Sequence, residues 1–439
     1  MNSIDVICKL NNDDSFQLLS EALEVNLTNK DKCHYTFWNT GINYNKNLTS
    51  LPNFFSSEGL DLLYLSLFIY YADRRIQREM FPDAWTRNIN LYMPVLCLDK
   101  WNEQKSLIEE LLSFLSGDIW NVEFRERRLN DIENEFQKKL KRNNDEKLDF
   151  DKMCMLSGGL DSFVGAIDLL ESSDNIGFVN HYGGGASGTK FIDSVSESLK
   201  SEYPTKSFNV FKFHAAIVNG KEDTTRTRSL LFFAHAIVIA TSMKRNVELY
   251  IPENGFISLN VPLTNSRLGS SSTRTTHPYY LTLLQRLLVN LNMDIHLLNP
   301  YQFRTKGEMI LECRNQTLLK NNISNTMSCS HPDQGRMKKG GTTAQHCGTC
   351  LPCIIRRSSL KRANIREMSI YRDENFSSGP TAMSNLATYN IGIEKYKKSD
   401  VNIYSRIQIS GPLENNLERY KLLYEKGMAE LIDFMESFQ

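Results

Sequence analysis

The sequence predicts an α/β fold in which a parallel sheet carries helices on both faces. From residue 152 onward, short apolar segments typical of buried strands alternate with amphipathic segments of helical periodicity. Strands that alternate with crossover helices form parallel sheets covered on both sides. A small α+β domain is predicted before this region, and a cysteine-rich knuckle follows it. A chain of 439 residues is long enough for two or three domains.

The composition is that of a globular protein without a dominant charge. The 51 basic and 51 acidic side chains give a formal net charge of zero, which argues against a general attraction to nucleic acid or to a membrane surface. The apolar runs are too short for a membrane helix, and the first residues lack the pattern of a secretion signal. Nine cysteines are too few for a disulfide scaffold. We therefore expect a cytoplasmic protein that binds neither a membrane nor nucleic acid directly.

Residues 1–145 form the predicted N-terminal α+β domain. Residues 88–101 and 118–127 alternate apolar and polar side chains as strands do, whereas residues 103–117 repeat apolar side chains at helical spacing. Gly117 is a plausible end for that helix. A charged segment then leads to the domain boundary near residue 145.

Residues 146–325 form the predicted parallel-sheet domain. Its strand-like segments are residues 152–156, 175–182, 207–215 and 247–255. The helix that begins near residue 226 is apolar most of the way round, so we expect it to be buried. Ligands of open parallel sheets bind at the carboxyl ends of the strands. The glycine-rich segment 157–162 and residues 252–255 both fall there.

The segment Ser-Gly-Gly-Leu-Asp-Ser at 157–162 follows a strand and opens a helix. Glycines let the backbone approach a phosphate, and the helix N-terminus offers N–H groups and a favourable dipole. The segment lacks the lysine of a Walker loop and also differs from the dinucleotide fingerprint. The alternative is a plain glycine turn in which Ser162 caps the helix. The strand–loop–helix context favours a phosphate-binding loop.

Four cysteines near the C-terminal end have the spacing of a metal site: Cys329, Cys347, Cys350 and Cys353. Four thiolates suit a tetrahedral Zn²⁺ in a closed, structural site. An iron–sulfur cluster, a site with His346 in place of Cys329, and redox-active thiols are the alternatives. Residues 326–365 are therefore the predicted zinc-binding segment, and residues 366–439 a helical C-terminal extension.

The glycine loop and the cysteine cluster together resemble the 7-cyano-7-deazaguanine synthase (QueC) family of N-type ATP pyrophosphatases, over roughly residues 150–365. Further matches to the family's motifs are Thr305, Lys306, Glu308, Tyr182 and Gly183. The family's Tyr-Gly-Gln is Tyr-Gly-Gly here, and the loop before Cys347 is longer than usual. A longer subgroup, the QueC-like component (QatC) of the Qat antiphage defence systems, resembles the chain better over residues 226–236 and 252–278 and in the N-terminal domain.

The resemblance implies an adenine nucleotide alpha-hydrolase-like (HUP, PP-loop) fold and an ATP-dependent ligase that forms AMP and pyrophosphate. Such an enzyme adenylates the carboxylate of 7-carboxy-7-deazaguanine, and an amine then attacks. That amine is ammonia or an amine of a partner protein, such as a chain N-terminus, and the extra N-terminal domain would dock that partner. The implied cofactors are ATP, Mg²⁺ and Zn²⁺. The alternatives are a catalytically idle nucleotide- and zinc-binding scaffold of a defence complex, or a tRNA-modifying PP-loop enzyme.

Candidate site residues follow from the resemblance and from polar residues near strand ends. The implied ATP-binding residues are Leu156, Ser157, Gly158, Gly159, Leu160, Ser162, Tyr182 and Gly183. The candidate catalytic residues are Asp161, Lys306, Arg226 and Arg228. Asp161 would lie near Mg²⁺, and the other three would offset phosphate charge. The candidates for binding the base are Glu253, Asn254, Phe256, Arg274 and His277. For the residues outside the matched motifs, a solvated helix start, a turn or an ordinary loop is the structural alternative.

Overall fold

The computed structural model describes residues 3–28, 32–41, 45–182, 186–224, 226–263, 274–333, 344–398 and 402–438, without the side chains of residues 182 and 186–188. Its strands form one four-stranded and one six-stranded sheet. The helices of the described ranges include none with the length and apolar character that a bilayer crossing needs. Short 3-10 helices lie at Lys46–Ser50, Arg78–Met80, Ile323–Asn325 and Glu436–Phe438.

The smaller sheet is built from the N-terminal part of the chain. Its strands, in the order β2-β1-β4-β5, are β1 (Ile4–Lys9), β2 (Leu23–Asn26), β4 (Asn88–Val95) and β5 (Ile119–Glu126). All three neighbouring pairs are parallel, so the predicted α+β arrangement is wrong. Parallel neighbours need long crossovers. The helix α1 (Ser57–Arg75) lies in the connection to β4, and α2 (Leu98–Glu103) and α3 (Lys105–Ser116) lie between β4 and β5, whereas residues 10–22 join β1 to β2 without a helix. Gly117 ends α3 at φ +77°, as predicted.

The larger sheet confirms the predicted parallel sheet with helices on both faces. Its order is β10-β9-β6-β7-β8-β3, and only the edge strand β3 is antiparallel to its neighbour. The strands are β3 (Cys33–Tyr35), β6 (Lys152–Met155), β7 (Ile176–Tyr182), β8 (Phe208–Ile217), β9 (Val247–Tyr250) and β10 (Ile295–Leu298). Met153 and Met155 belong to one core and Cys154 to another, as alternation along a strand requires.

Helices cover the two faces of this sheet. One face packs against α5 (Leu160–Ser172) and α6 (Ala186–Glu202), and α11 (Gln316–Asn322) packs on these two helices. The other packs against α1, α7 (Arg228–Thr241) and α9 (Pro278–Asn290), and α7 is buried as its composition predicts. The remaining helices are α4 (Asp131–Arg142), α8 (Gly255–Ser258), α10 (Lys306–Glu312), α12 (Leu351–Arg362), α13 (Pro380–Lys397), α14 (Ile403–Ile407) and α15 (Leu417–Met435).

The N-terminal part of the chain shares a hydrophobic core with the larger sheet. β3 pairs with β8, and α1 packs along α7. Arg87 is fully buried between Asp73 and Asp118, with its Nη2 at 2.5 Å and 2.6 Å from their carboxylates. Removing one of these charged side chains would be costly, because a buried charge would then remain uncompensated. The domain boundaries themselves remain a prediction.

Candidate functional site

The glycine loop connects β6 to α5 at the carboxyl end of the sheet. Gly158 has φ +78°, a left-handed conformation that favours glycine, and a Cβ there would lie 3.0 Å from Ile192 Cγ1. Gly159 is the N-cap of α5 and provides no side-chain cap. The first turn of α5 therefore presents backbone N–H groups without a capping side chain, which is the arrangement that binds anions.

Two serine hydroxyls close the loop. Ser162 Oγ accepts from the Ser157 backbone N–H at 3.2 Å, contacts Ser157 Oγ at 3.1 Å and donates to the Gly159 carbonyl at 3.0 Å. Ser157 is exposed, whereas Ser162 is buried. Leu156 and Leu160 are fully buried in the core. The two leucines can therefore contribute only backbone groups, while Ser157 offers a hydroxyl to a ligand.

Asp161, the second residue of α5, brings three elements together. Its Oδ1 lies 2.8 Å from Lys306 Nζ, on the first residue of α10. Its Oδ2 accepts from the Asn254 backbone N–H at 3.2 Å and from Asn254 Nδ2 at 2.7 Å. Asp161 and Lys306 are 6% and 4% exposed, so this ion pair is shielded from solvent. Two predicted catalytic residues and one predicted base-binding residue are thus direct neighbours.

Glu253 lies against the same carboxylate. Burial raises the pKa of Glu253 well above its ordinary value, and the adjoining Asp161 charge raises it further. Burial also pushes the pKa of Asp161 upward, but the Lys306 ammonium and the hydrogen bond with Glu253 outweigh burial and lower it. The surroundings thus favour the protonated form of Glu253 and the ionised form of Asp161.

The Thr-Lys-x-Glu segment is the start of α10. Thr305 Oγ1 accepts from the Glu308 backbone N–H at 3.1 Å, and Glu308 Oε2 accepts from the Thr305 backbone N–H at 3.0 Å. This reciprocal capping box fixes the first turn of the helix. The sequence motif is therefore a device that holds Lys306 at a rigid helix N-terminus, facing Asp161.

The predicted arginines Arg226 and Arg228 have other surroundings. Arg226 is buried, donates from Nη1 to the Ser116 carbonyl at 2.7 Å and lies 4.9 Å from the Trp85 ring centroid. Arg228 is exposed at the first residue of α7. The contacts described for Arg226 join the segment just before α7 to the N-terminal part of the chain. A catalytic role for either arginine remains a prediction.

Three predicted base-binding residues contact structural neighbours. Arg274 donates from Nη1 to the Phe114 carbonyl at 2.9 Å, and His277 caps α9 with its Nδ1. Phe256 packs against Tyr424 of α15, with ring centroids 6.0 Å apart. Their part in substrate binding remains a prediction. Gly183 and the side chain of Tyr182 lie outside the described residues, although the Tyr182 backbone ends β7.

His277 gives the stability of the protein a pH dependence. Burial lowers the pKa of His277 to about 3, and Arg274 adds to the effect. The unfolded chain binds the imidazole proton below a pH of about 6.5 and the folded chain does not, so stability falls by about 1.4 kcal/mol per pH unit as the pH drops from there. His277→Asn keeps a capping side chain and should remove this contribution, which urea unfolding at pH 7 and pH 5 measures. The control is His296→Asn, at an exposed histidine. If His277→Asn loses as much stability between pH 7 and pH 5 as this control does, the prediction is wrong.

The four predicted cysteines converge. Their sulfur atoms all lie within 4.8 Å of one another, with Cys329–Cys350 and Cys347–Cys353 separations of 3.9 Å. Tetrahedral Zn²⁺ with Zn–S bonds of 2.3 Å would place its sulfurs about 3.8 Å apart. The Cys329 sulfur also accepts from the Cys347 backbone N–H at 3.2 Å. The group could therefore hold a metal ion such as zinc.

His346 is a neighbour of this group. Its Nε2 contacts the Thr326 carbonyl at 3.2 Å, and its Nδ1 lies 3.8 Å from Cys353 Sγ. Cys329 supplies the fourth sulfur atom of the group, so a tetrahedral metal ion would not need the imidazole as a ligand. The geometry favours four cysteines over the alternative in which His346 replaces Cys329.

A short segment connects the cysteine group to the glycine loop. The Met327 backbone N–H donates to the Gly158 carbonyl at 2.9 Å, two residues before Cys329. Thr326 is held by Arg356 of α12, which donates from Nη1 to the Thr326 hydroxyl at 2.7 Å. Sequence reasoning gave no sign of this contact, because a backbone hydrogen bond does not depend on the residue type of Met327.

The fold and site define an α/β protein with a glycine loop at a helix N-terminus, a buried Lys–Asp–Glu cluster and a four-cysteine group. No protein-family model matches the chain, and no curated protein matches it either.

Proposed function

We propose that the chain is an ATP-dependent ligase that forms AMP and pyrophosphate by activating a carboxylate as its acyl-adenylate. One observation carries the proposal: the Lys306–Asp161 pair meets the N-terminus of α5 beside the glycine loop. Phosphoryl chemistry needs positive charge and N–H donors around the leaving group. The loop offers the donors, and the buried ammonium offers the charge.

In this mechanism the glycine loop holds the β- and γ-phosphates. Backbone N–H groups of the first turn of α5 and the Ser157 hydroxyl bind the leaving pyrophosphate, and Lys306 offsets its charge. The substrate carboxylate attacks the α-phosphorus, and the bond from that phosphorus to the oxygen it shares with the β-phosphorus breaks. An amine then attacks the acyl carbon, AMP leaves, and the amine loses a proton.

A divalent cation fits beside Asp161. Asp161 Oδ1 is buried and lies 2.8 Å from the Lys306 ammonium, and carboxylate oxygens are ligands that Mg²⁺ accepts. Asp161 would hold Mg²⁺, which supplies further positive charge to the pyrophosphate when it is bound. The raised pKa of Glu253 opposes the accumulation of negative charge here before ATP arrives.

The substrate that we favour is the carboxylate of a 7-deazaguanine, on the resemblance of the glycine loop, the Thr-Lys-x-Glu segment and the cysteine spacing to the QueC family. The nucleophile is ammonia or an amine of a partner protein from an antiphage defence system. Residues 1–145 motivate the second choice, because a small-molecule synthase does not need this additional surface.

Mass spectrometry and ATP–pyrophosphate exchange test the proposal. The chain is incubated with ATP, Mg²⁺ and 7-carboxy-7-deazaguanine, with and without its neighbouring gene products, and Asp161→Asn serves as the inactive control. Release of AMP together with a base-derived mass, free or attached to a partner, supports the ligase and identifies the nucleophile. No exchange and no AMP in any combination would favour the idle scaffold. AMP formed only with tRNA would favour a tRNA-modifying enzyme.

Gly158→Ala tests the loop separately from the chemistry. A non-glycine residue at φ +78° costs about 1–2 kcal/mol, and the added Cβ would lie 3.2 Å from the Ile192 backbone nitrogen. We expect the Kd for a non-hydrolysable ATP analogue to rise about tenfold or more, because a shift of the loop misplaces its N–H groups. Isothermal titration calorimetry measures it. Gly220→Ala, whose Cβ would meet only the flexible end of Arg74, is the control, and equal affinities of the two variants would contradict the expectation.

A further inference from the structure

The last long helix, α15, packs against the element that carries Lys306. Its apolar side, which includes Leu423, Met428 and Leu431, is buried in a core formed with α8 and α12. Gly427 allows close contact there, since a Cβ would collide with Phe256. This packing brings the polar side chain of Glu430 to the N-terminus of α10.

Glu430 contacts the residues on both sides of Lys306. Its Oε1 accepts a hydrogen bond of 2.5 Å from the Thr305 hydroxyl, and the carboxylate lies against the Gly307 backbone, which lowers the pKa of Glu430. A Cβ on Gly307 would lie 2.6 Å from Glu430 Oε1, so residue 307 must be small for this approach. Ser359 of α12 lies 3.5 Å from the other carboxylate oxygen. A single side chain thus joins α10, α12 and α15.

A second contact repeats the arrangement one turn away. Lys426 Nζ lies 2.6 Å from Glu308 Oε1, and Glu308 is the carboxylate of the capping box. Burial raises the pKa of Glu430, and the Thr305 hydroxyl opposes that rise. Placing a carboxylate in a half-buried position is costly unless its hydrogen bonds are satisfied. Here the hydroxyls of Thr305, next to Lys306, and of Ser359 donate to the carboxylate.

We propose that Glu430 is a positioning residue for Lys306 and that α15 is part of the framework of the site. The inference rests on the proposed function, in which Lys306 meets the phosphates of ATP. Glu430 itself touches neither substrate nor cofactor. It fixes the backbone before and after Lys306, so that the ammonium stays beside Asp161 and the glycine loop.

Lysine labelling tests this positioning without any need for activity. The folded protein is treated with formaldehyde and cyanoborohydride, and mass spectrometry follows dimethylation of Lys306 relative to the exposed Lys320. Loss of two hydrogen bonds to a carboxylate in Glu430→Ala should raise the labelling of Lys306 about tenfold and leave Lys320 unchanged. The matched control is Asp433→Asn, which removes an exposed carboxylate of the same helix that pairs with Lys361 of α12.

ATP–pyrophosphate exchange provides the second measurement. A displaced Lys306 should lower kcat about tenfold in Glu430→Ala with a smaller change in the KM for ATP, because the ammonium acts mainly in the transition state. Glu430→Gln, which keeps one acceptor oxygen, should restore part of the rate. Thermal unfolding shows whether Glu430→Ala folds, and Glu430→Gln replaces it in both measurements if it does not.

The outcomes separate the two proposals. Labelling of Lys306 equal to that of the unsubstituted protein in both folded Glu430 variants would overturn the positioning role, whatever the activity. Unaltered kcat in an active enzyme would overturn it as well. Selective labelling of Lys306 in a chain that shows no exchange at all would support positioning while the proposed ligase function fails.

Discussion

Lys306→Met is expected to lower the rate of ATP–pyrophosphate exchange by a factor of about 10² to 10³, the usual effect of removing one stabilising donor from a transition state. Methionine keeps the length of the side chain but has no charge to place beside the pyrophosphate. The substitution also leaves Asp161 as a buried carboxylate without its cation, which costs about 3 kcal/mol or more of folding free energy. Exchange kinetics and urea unfolding measure the two effects.

A double variant separates charge compensation from chemistry. Asp161→Asn combined with Lys306→Met removes both charges and should recover much of the lost stability, because neither side chain then leaves an unpaired ion. Its exchange rate should stay as low as that of Lys306→Met. The exposed Lys320→Met is the control for loss of a lysine. Exchange within a factor of about two of the unsubstituted rate in Lys306→Met would exclude Lys306 from the chemistry.

Cys347→Ser is expected to abolish metal binding and to unfold the C-terminal part of the chain at physiological temperature. The metal content should fall from about one zinc per chain to near zero, because a serine oxygen is a poor substitute for a thiolate. Free energy of metal binding is also free energy of folding in such sites, so the unfolding temperature should fall together with the zinc content. Elemental analysis and thermal unfolding measure both quantities.

The control for this substitution is Cys97→Ser, at a cysteine outside the sulfur group. It should keep its metal. The ATP affinity should also fall in Cys347→Ser. Met327 is two residues from Cys329 and donates to the Gly158 carbonyl, so unfolding of the cysteine group should disturb the glycine loop. Iron in place of zinc, with the colour of a cluster, would instead support the iron–sulfur alternative. Unchanged metal content would show that Cys347 is not a ligand.

Local patterns were enough to predict four of the six strands of the larger sheet, β6 to β9, whereas β3 and β10 were not predicted. The alternation of strands and helices after residue 152 fixes parallel neighbours, because every crossover there carries a helix. Of the strands in the smaller sheet, β4 and β5 were recognised from their alternation, and β1 and β2 were not predicted. The pairing of these strands was not predictable either, since β1 pairs with both β2 and β4 through contacts that leave no mark on sequence periodicity.

The members of the buried cluster around Asp161 were each named from the sequence, but the contacts among them were not predicted. Asp161 and Lys306 were identified separately, and their ion pair depends on how α5 and α10 pack. Glu253 was expected to bind a base, yet its neighbour is Asp161. Glu430 gave no signal, because one carboxylate on an amphipathic helix looks like any solvated side chain. Side chains whose role depends on tertiary packing are the ones that sequence patterns miss.

The antiparallel edge strand β3 bears on how this protein is made. Cys33 pairs with Ile217, so the ribosome releases β3 long before β8 exists. Translation at about 5–20 residues per second leaves that segment without its partner for on the order of ten seconds or more. A nascent chain whose β3 segment stays unpaired for this time can be bound by chaperones. Once β8 emerges, β3 covers an open sheet edge that would otherwise recruit strands from other molecules.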